Sequence, residues 1–398
     1  MELSTGHPSR NPTRHPTRHA YGEALDFYLT QALQIRASDI HFAPRHTGGD
    51  IRLRVSGELQ TLVTISNLLD WEDLLKEVKR RCGLSFGKGF AQDSRFSQTH
   101  GPHGADFRVS LVPVLLGSRE AEQIVIRILP RDNVFSLDRL GLPEAGLASL
   151  KEALSANQGL ILVTGPTGSG KTVTLMSALC AVDRNRYSVL TLEDPVEYAL
   201  EGITQVPISP QLSFAQGLRA FLRQDPDYIL VGETRDKETA EALLQAANTG
   251  HVVLTTLHTN SAQEAFSRLS SLGVEESLAR ENATFVCAQR LVPRACPHCK
   301  EWDALGWQRL ETLSQDWVKK IMYHKGNTKT CVNYPVKNLG CERCGGKGVW
   351  GRELLFEFMA PQKIGGKREM VTLLTLAQSA LERLQKGEIH VPEFLSFL

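Results

Sequence analysis

The stretch Gly165-Pro-Thr-Gly-Ser-Gly-Lys-Thr172 constrains this chain more than any other. The apolar run Leu160 to Val163 leads into it, and a helix-favouring run, Val173 to Leu179, leads out. A buried strand therefore enters a glycine loop and a helix leaves it. That is the context as well as the spelling of the phosphate-binding pattern G-x-x-x-x-G-K-[ST]. Glycines let the backbone curl until its N–H groups point at phosphate oxygens, and the new helix adds the positive end of its dipole. In this reading Gly165, Pro166, Thr167, Gly168, Ser169 and Gly170 cradle the phosphates of ATP, and Val173, in the first helical turn, also binds the nucleotide. Lys171 reaches the β- and γ-phosphates, and Thr172 ligates Mg²⁺. The competing reading is a plain glycine turn before a helix.

Composition narrows the class. With 398 residues the chain makes two to three ordinary domains or one very large one. Apolar residues are 41% and charged residues 22%, as in globular chains. The net charge of +1 gives no bulk electrostatic footprint for nucleic acid, so no direct nucleic-acid partner is expected. No apolar run reaches the length of a membrane span, and the basic N-terminus has no apolar core after it, so a cytoplasmic protein is expected. In a reducing compartment, cysteine pairs favour metal over disulfides.

Residues 1–20 are rich in Pro, His, Arg and Thr, lack apolar periodicity and read as a disordered tail. From Tyr21 a helical face (Leu25, Leu29, Ala32, Leu33) precedes the alternating strands Asp39–Phe42 and Ile51–Val55. A helix over Trp71 to Arg81 and strands near Asp106–Val112 and Gln123–Leu129 complete a small α+β domain, 21–130. Residues 131–143 read as a linker. From Glu144 the rhythm changes to strand–helix alternation, with strands Leu160–Val163, Val189–Leu192, Tyr228–Val231 and Val252–Thr256 and a helix over Asp236–Ala247. That predicts an α/β domain over 144–295 with a doubly wound, mainly parallel sheet and its nucleotide at the carboxyl ends of the strands. Residues 351–398 read as its C-terminal helical part, with a helix over Met370–Gln385.

Three stretches leave strand ends where phosphate chemistry needs polar groups. Thr191 to Glu197 delivers Glu193 and Asp194; Glu193 suits activation of the attacking water. Asp225 to Glu233 resembles the Walker B strand, with Gly232 where many such strands carry Asp, so Mg²⁺ support falls to Glu233; the two glutamates could exchange roles. Thr249-Gly-His251 opens a strand that Leu257-His258-Thr-Asn260 closes, and His258 can sense the γ-phosphate. Arg108 and Arg127, each flanked by apolar residues in a strand, and Arg219 and Arg223, four apart on a helix, are candidate cations for the phosphates.

Cys296-Pro-His-Cys299 and Cys341-Glu-Arg-Cys344 are two C-x-x-C turns on either side of residues 300–340. Four thiolates complete a tetrahedral shell suited to structural Zn²⁺, in a subdomain over 296–350. His298 is a poor ligand between two thiolates, and Cys331 lacks a paired cysteine. Cys82, Cys180 and Cys287 read as small buried residues.

Together these stretches resemble the ATPases of type II secretion and type IV pilus assembly. The resemblance rests on Ala37–His41, Gly165–Thr172, Glu193–Glu197, Arg223–Asp227, Val231–Asp236, Thr249–His251, Leu257–Asn260, Ala288–Leu291 and the four cysteines. It covers roughly residues 21–360 and looks like the family's short form, without a large N-terminal docking domain. It departs from the family at Ala43, where Glu is frequent, and at Thr234, where Ile is usual. The resemblance implies a RecA-like domain after a PAS-like one, and a homohexamer on the inner face of the cytoplasmic membrane. ATP hydrolysis would drive a polytopic platform protein there, with Arg108 and Arg127 contacting phosphate. Retraction motors of the family generally lack the cysteine knuckle, which favours an assembly role. A DNA-transfer ATPase, a retraction motor and a nucleotide-binding scaffold without turnover are the alternatives.

Overall fold

The computed structural model describes residues 18–397, apart from Arg36, Ser56, Lys88, 101–102, 131–134, 304–333 and Leu339. Cys331 and most of the N-terminal tail lie outside the described residues. The chain divides into two compact units, Met1–Val134 and Phe135–Leu398.

The first unit contains α1 (Arg18–Gln34), β1 (Asp39–Arg45), β2 (Gly48–Val55), β3 (Glu58–Ile65), α2 (Leu68–Cys82), β4 (Gln92–His100), β5 (His103–Leu116) and β6 (Arg119–Pro130). Helix α1 thus begins inside the stretch expected to be disordered. All strand pairs are antiparallel, in the order β3-β2-β1-β6-β5-β4. Alternation decides the faces: Ile40, Phe42, Ile51, Leu53, Phe107, Val109, Ile124 and Ile126 are buried with Leu25 and Leu29 of α1 and Trp71, Leu74 and Val78 of α2. Burying each such side chain contributes about 1.5–3 kcal/mol. Asn67 caps α2 by accepting from the N–H groups of Leu69 and Asp70, and Gly83 ends it at φ 66°. A buried ion pair, Lys79 Nζ to Glu122 at 2.6 Å, joins α2 to β6. Strands β3 and β4 have no counterpart in the sequence reading. Both are edge strands, and the polar run Gln92–His100 shows little apolar alternation.

The second unit opens with a 3-10 turn at Leu137–Arg139, within the expected linker, whose Leu137 and Leu140 are buried in the unit's core. Its elements are α3 (Glu144–Leu154), β7 (Gly159–Thr164), α4 (Lys171–Cys180), β8 (Val189–Glu193), β9 (Thr204–Pro207), α5 (Phe214–Phe221), β10 (Tyr228–Val231), α6 (Lys237–Asn248), β11 (Val252–Leu257), α7 (Glu264–Ser271), α8 (Glu276–Asn282) and β12 (Ala283–Ala295). They continue through β13 (Lys300–Asp303), β14 (Tyr334–Asn338), β15 (Val349–Ile364), β16 (Lys367–Leu374), α9 (Leu376–Gln385) and α10 (Val391–Leu395). The main sheet runs β16-β15-β12-β7-β11-β10-β8-β9. Its strands from β12 to β9 are parallel, and β15 and β16 add antiparallel. Every residue of β7, β8, β10 and β11 is buried. That follows from helices on both faces: α3 and α4 cover one, α5 to α8 the other.

The expected helical C-terminal part is corrected here. Residues 349–374 are two strands of the main sheet, and the helix expected from Met370 starts at Leu376. The leucine spacing suits a helix, but the turn at Gly365 and Gly366 folds residues 367–374 back onto β15. Thr375 and Gln378 then form a capping box that fixes where α9 begins.

Candidate functional site

The buried strand β7 ends at Thr164, and the chain turns through Gly165 (φ 148°), Gly168 (φ 76°) and Gly170 (φ 88°) into α4. A Cβ at Gly165 would lie 2.5 Å from the Gln289 carbonyl oxygen and 2.6 Å from Ser169 Oγ, so only glycine fits. Among the described residues no side chain caps α4, so its first N–H groups are left for an external acceptor. Lys171 Nζ donates to the carbonyls of Gly165 (2.7 Å) and Pro166 (3.0 Å) across the loop. Burial lowers its pKa; Glu233 opposes that shift and Arg290 reinforces it. Among the described residues, Ser169 Oγ is buried without a hydrogen-bond partner. A desolvated ammonium, uncapped N–H groups and an unsatisfied hydroxyl fit a bound phosphate chain. Thr172 lies half-buried in the first turn of α4, where its hydroxyl would hold Mg²⁺.

Three neighbouring strands bring their carboxyl ends to the same edge, with β11, β10 and β8 following β7 in order. Glu233, just beyond β10, accepts from Arg235 at 2.6 Å and sits 3.1 Å from His258 Nε2 at the end of β11. Burial raises the Glu233 pKa, but Arg235 and His258 outweigh it and hold the carboxyl below its usual range. Its ionised oxygens suit Mg²⁺. Glu193, the last residue of β8, is buried and accepts from Thr191 Oγ1 (2.7 Å) and Gln205 Nε2 (2.8 Å). Gly232 packs against Glu193, since a Cβ there would fall 3.5 Å from the Glu193 Cα. The place usually held by Asp in such strands is thus filled by backbone contact.

Hydrogen bonds tie these tips to the cradle. Thr164, one residue before Gly165, shares its hydroxyl with Thr259 (2.7 Å) and the Leu257 carbonyl (3.1 Å). Arg290 donates to the carbonyls of Gln289 (2.8 Å) and Asn260 (2.6 Å). Gln289, fully buried, donates to Thr174 Oγ1 at 2.7 Å. An open groove of about 460 Å³ runs past Pro166, His258, Asn260 and Arg268.

Lys171, Thr172, Glu233, His258 and Glu193 therefore gather at one end of the second unit's sheet. His251 does not. It precedes β11 at the opposite end, bonded to the Ala246 carbonyl, and its own carbonyl accepts from Gly159 at the start of β7. Arg219 and Arg223 are exposed on and beyond α5; Arg219 lies 3.9 Å from Glu238. In the first unit, Arg108 and Arg127 are register partners, Arg127 bonded to Asp39 at 3.2 Å, on the face opposite buried Val109 and Ile126. Sequence reasoning assigned no role to Arg235, Arg290, Gln289 or Gln205. Arg235 had a signal, standing two residues from Glu233. Thr234, where the family usually carries Ile, is buried and hydrogen-bonded to Thr255 at 2.8 Å.

The second candidate site lies where β12 ends and β15 begins, with Ala295 paired to Val349. The sulfurs of Cys296, Cys299, Cys341 and Cys344 lie within 4.8 Å of one another. Cys344 Sγ is 3.7 Å from that of Cys299 and 3.8 Å from that of Cys341. Four sulfurs about 2.3 Å from a central Zn²⁺ make a tetrahedron with edges of about 3.8 Å, so the donor set fits. Burial raises the Cys344 thiol pKa, but hydrogen bonds from the Cys341 and Gly348 N–H groups and from the Cys299 and Cys341 thiols outweigh it and bring it down to about 6, while burial and the same cluster hold the Cys299 thiol up. His298 turns instead to Arg343 and Trp350. Four protein ligands would leave no open position for substrate, the arrangement of a structural metal site. Among the described residues, no helix is long and apolar enough to cross a membrane.

Residues 19–389 match the family model described as Type II/IV secretion system protein. The chain is 40% identical over 366 residues to the putative type II secretion system protein E of Escherichia coli K12, covering 90% of this chain and 70% of that protein. It is 40% identical over 335 residues to the type II secretion system protein E of Klebsiella pneumoniae, covering 83% and 64%. With the type IV pilus assembly ATPase PilB of Thermus thermophilus it shares 39% identity over 330 residues, covering 81% and 35%. Among solved structures, the ATPase DotB of Legionella pneumophila superposes with a TM-score of 0.66 at 22% identity, covering 98% of this chain and 97% of that one. The pilus retraction motor PilT with bound ADP gives 0.60 at 24% identity, covering 94% and 96%. These two speak for the fold. With nearly the whole chain matched by the family model and several relatives near 40% identity, this protein belongs to the type II/IV secretion system protein family.

Proposed function

We propose that this chain hydrolyses ATP to ADP and phosphate and couples that step to the assembly of pilin-like subunits or to type II-like secretion. The observation that carries the reading is the gathering of Glu193, Glu233 and His258 on strand ends beside the loop that holds Lys171. The loop N–H groups and Lys171 bind the phosphates, and Val173, in the first turn of α4, also contacts the nucleotide. Mg²⁺, held by Thr172 and Glu233, neutralises phosphate charge when bound. Glu193 orients a water and accepts its proton. The water oxygen bonds to the γ-phosphorus, and the bond to the ADP oxygen breaks with its electron pair remaining on ADP. His258, resting on Glu233, senses the γ-phosphate. Arg108 and Arg127 supply further positive charge, from this or a neighbouring copy.

The working form is a homohexamer in the cytoplasm, peripheral to the inner face of the membrane, where it drives a polytopic platform protein. The supporting observation is kinship with secretion and pilus assembly proteins. The four cysteines hold structural Zn²⁺ and favour the assembly role over retraction. The test is ATP turnover by the purified protein with Mg²⁺. The wild type is expected to release phosphate and Lys171→Ala to release none; equal turnover in that variant contradicts the mechanism.

A further inference from the structure

A buried carboxylate that takes a proton from water needs one oxygen free and aimed, and nothing in β8 alone ensures which of the two it is. Among the described residues, both hydrogen bonds to the Glu193 carboxylate fall on the same atom, Oε1, from Thr191 Oγ1 at 2.7 Å and Gln205 Nε2 at 2.8 Å. Register explains why these two donors meet. Strands β8 and β9 are parallel, with Thr191 opposite Gln205, and Glu193 lies two residues beyond Thr191 on the same face.

The amide of Gln205 has one workable orientation. Its Oε1 accepts from the N–H of Leu200 at 2.7 Å, while its Nε2 also donates to the Tyr198 carbonyl at 2.8 Å. Turned round, the amide would set oxygen against a carbonyl and a carboxylate, and NH₂ against an N–H. The network thus fixes a donor, not an acceptor, against Glu193. Strand β9 is short, at the sheet edge and partly exposed, so it adds little to the core. It places this side chain beside Glu193.

We infer that Gln205 is a positioning residue that, together with Thr191, engages Oε1 of Glu193 and leaves Oε2 as the oxygen that receives the water proton. This rests on the reading of Glu193 as the base. The full chain is assayed for steady-state ATP turnover as Gln205→Met, Thr191→Val and Thr191→Ser, with affinity for a slowly hydrolysed ATP analogue and thermal unfolding measured beside it. Gln205→Met and Thr191→Val are expected to lower kcat roughly 10- to 100-fold, the scale of a misplaced catalytic group, with KM and analogue affinity within about twofold. Thr191→Ser, which keeps the hydroxyl, is expected to retain turnover. A folded Gln205→Met with unchanged kcat overturns the inference. So does Thr191→Ser losing as much as Thr191→Val, a comparison that stands even if Gln205→Met fails to fold. Glu193→Gln separates the two levels. If it keeps wild-type turnover, the base reading falls and takes the inference with it. If it loses turnover while the other three variants keep it, only the positioning role falls.

Discussion

At Glu233, burial and charge pull in opposite directions, and charge wins: Arg235 and His258 hold the carboxyl below the usual glutamate range. A group that binds its proton less readily when folded adds stability that is fully present above the unfolded value. That stability is lost as pH falls through the lowered folded value. Urea midpoints of wild type and Glu233→Gln, measured from pH 7 down to 3, are therefore expected to differ most near neutrality and to converge below about 4.5. A gap that persists unchanged into acid contradicts the assignment. The acid itself is legible in Val231-Gly-Glu-Thr-Arg-Asp236, because a carboxylate after an apolar strand is a local pattern. Its contact with His258 is not, because it joins β10 to β11 across intervening sequence. Gln205 leaves no trace at all: a glutamine in a short, half-exposed strand reads as surface until register sets it beside Glu193.

At the scale of elements, the second unit's central strands are legible as unbroken apolar runs because a parallel sheet is covered on both faces. The same logic fails at edges, which is why β3, β4 and the β15–β16 pair are hidden: their pairing is set by partners rather than by their own composition. Two predictions belong here. Lys79 and Glu122 have side chains only 5% and 9% exposed. Glu122→Leu alone strands a buried ammonium and is expected to cost about 3–5 kcal/mol, whereas Lys79→Met with Glu122→Leu is expected to be near neutral. Chemical denaturation of both variants checks this, and equal losses contradict it. The cysteine spacing is legible because two C-x-x-C turns encode their own geometry, and the sulfur separations suit Zn²⁺. Elemental analysis is expected to find one Zn²⁺ per chain. Cys341→Ser is expected to lower the unfolding temperature by several degrees, at about 2–4 °C per kcal/mol lost, while ATP affinity is kept. Metal-free wild-type protein of equal stability contradicts that role.

For the molecule as a whole, the strand order explains how distant sequence becomes one site. Strand β7 lies between β11 and β12, while β8, next in sequence, lies beyond β11 and β10. The carboxyl ends of β7, β11, β10 and β8 thus deliver the loop, His258, Glu233 and Glu193 side by side, at the place where open α/β sheets bind ligands. The sequence rhythm announces such a sheet but not the order of its strands, so the neighbours of each tip are known only from the fold. In the proposed function the loop holds the nucleotide and the strand tips split it. The most direct measurement is phosphate release by Glu193→Gln with ATP and Mg²⁺, read beside nucleotide affinity and against Lys171→Ala. Glu193→Gln is expected to bind ATP as the wild type does but to turn it over at least about 100-fold more slowly, while Lys171→Ala also loses binding. Wild-type turnover by a folded Glu193→Gln would contradict the proposed function.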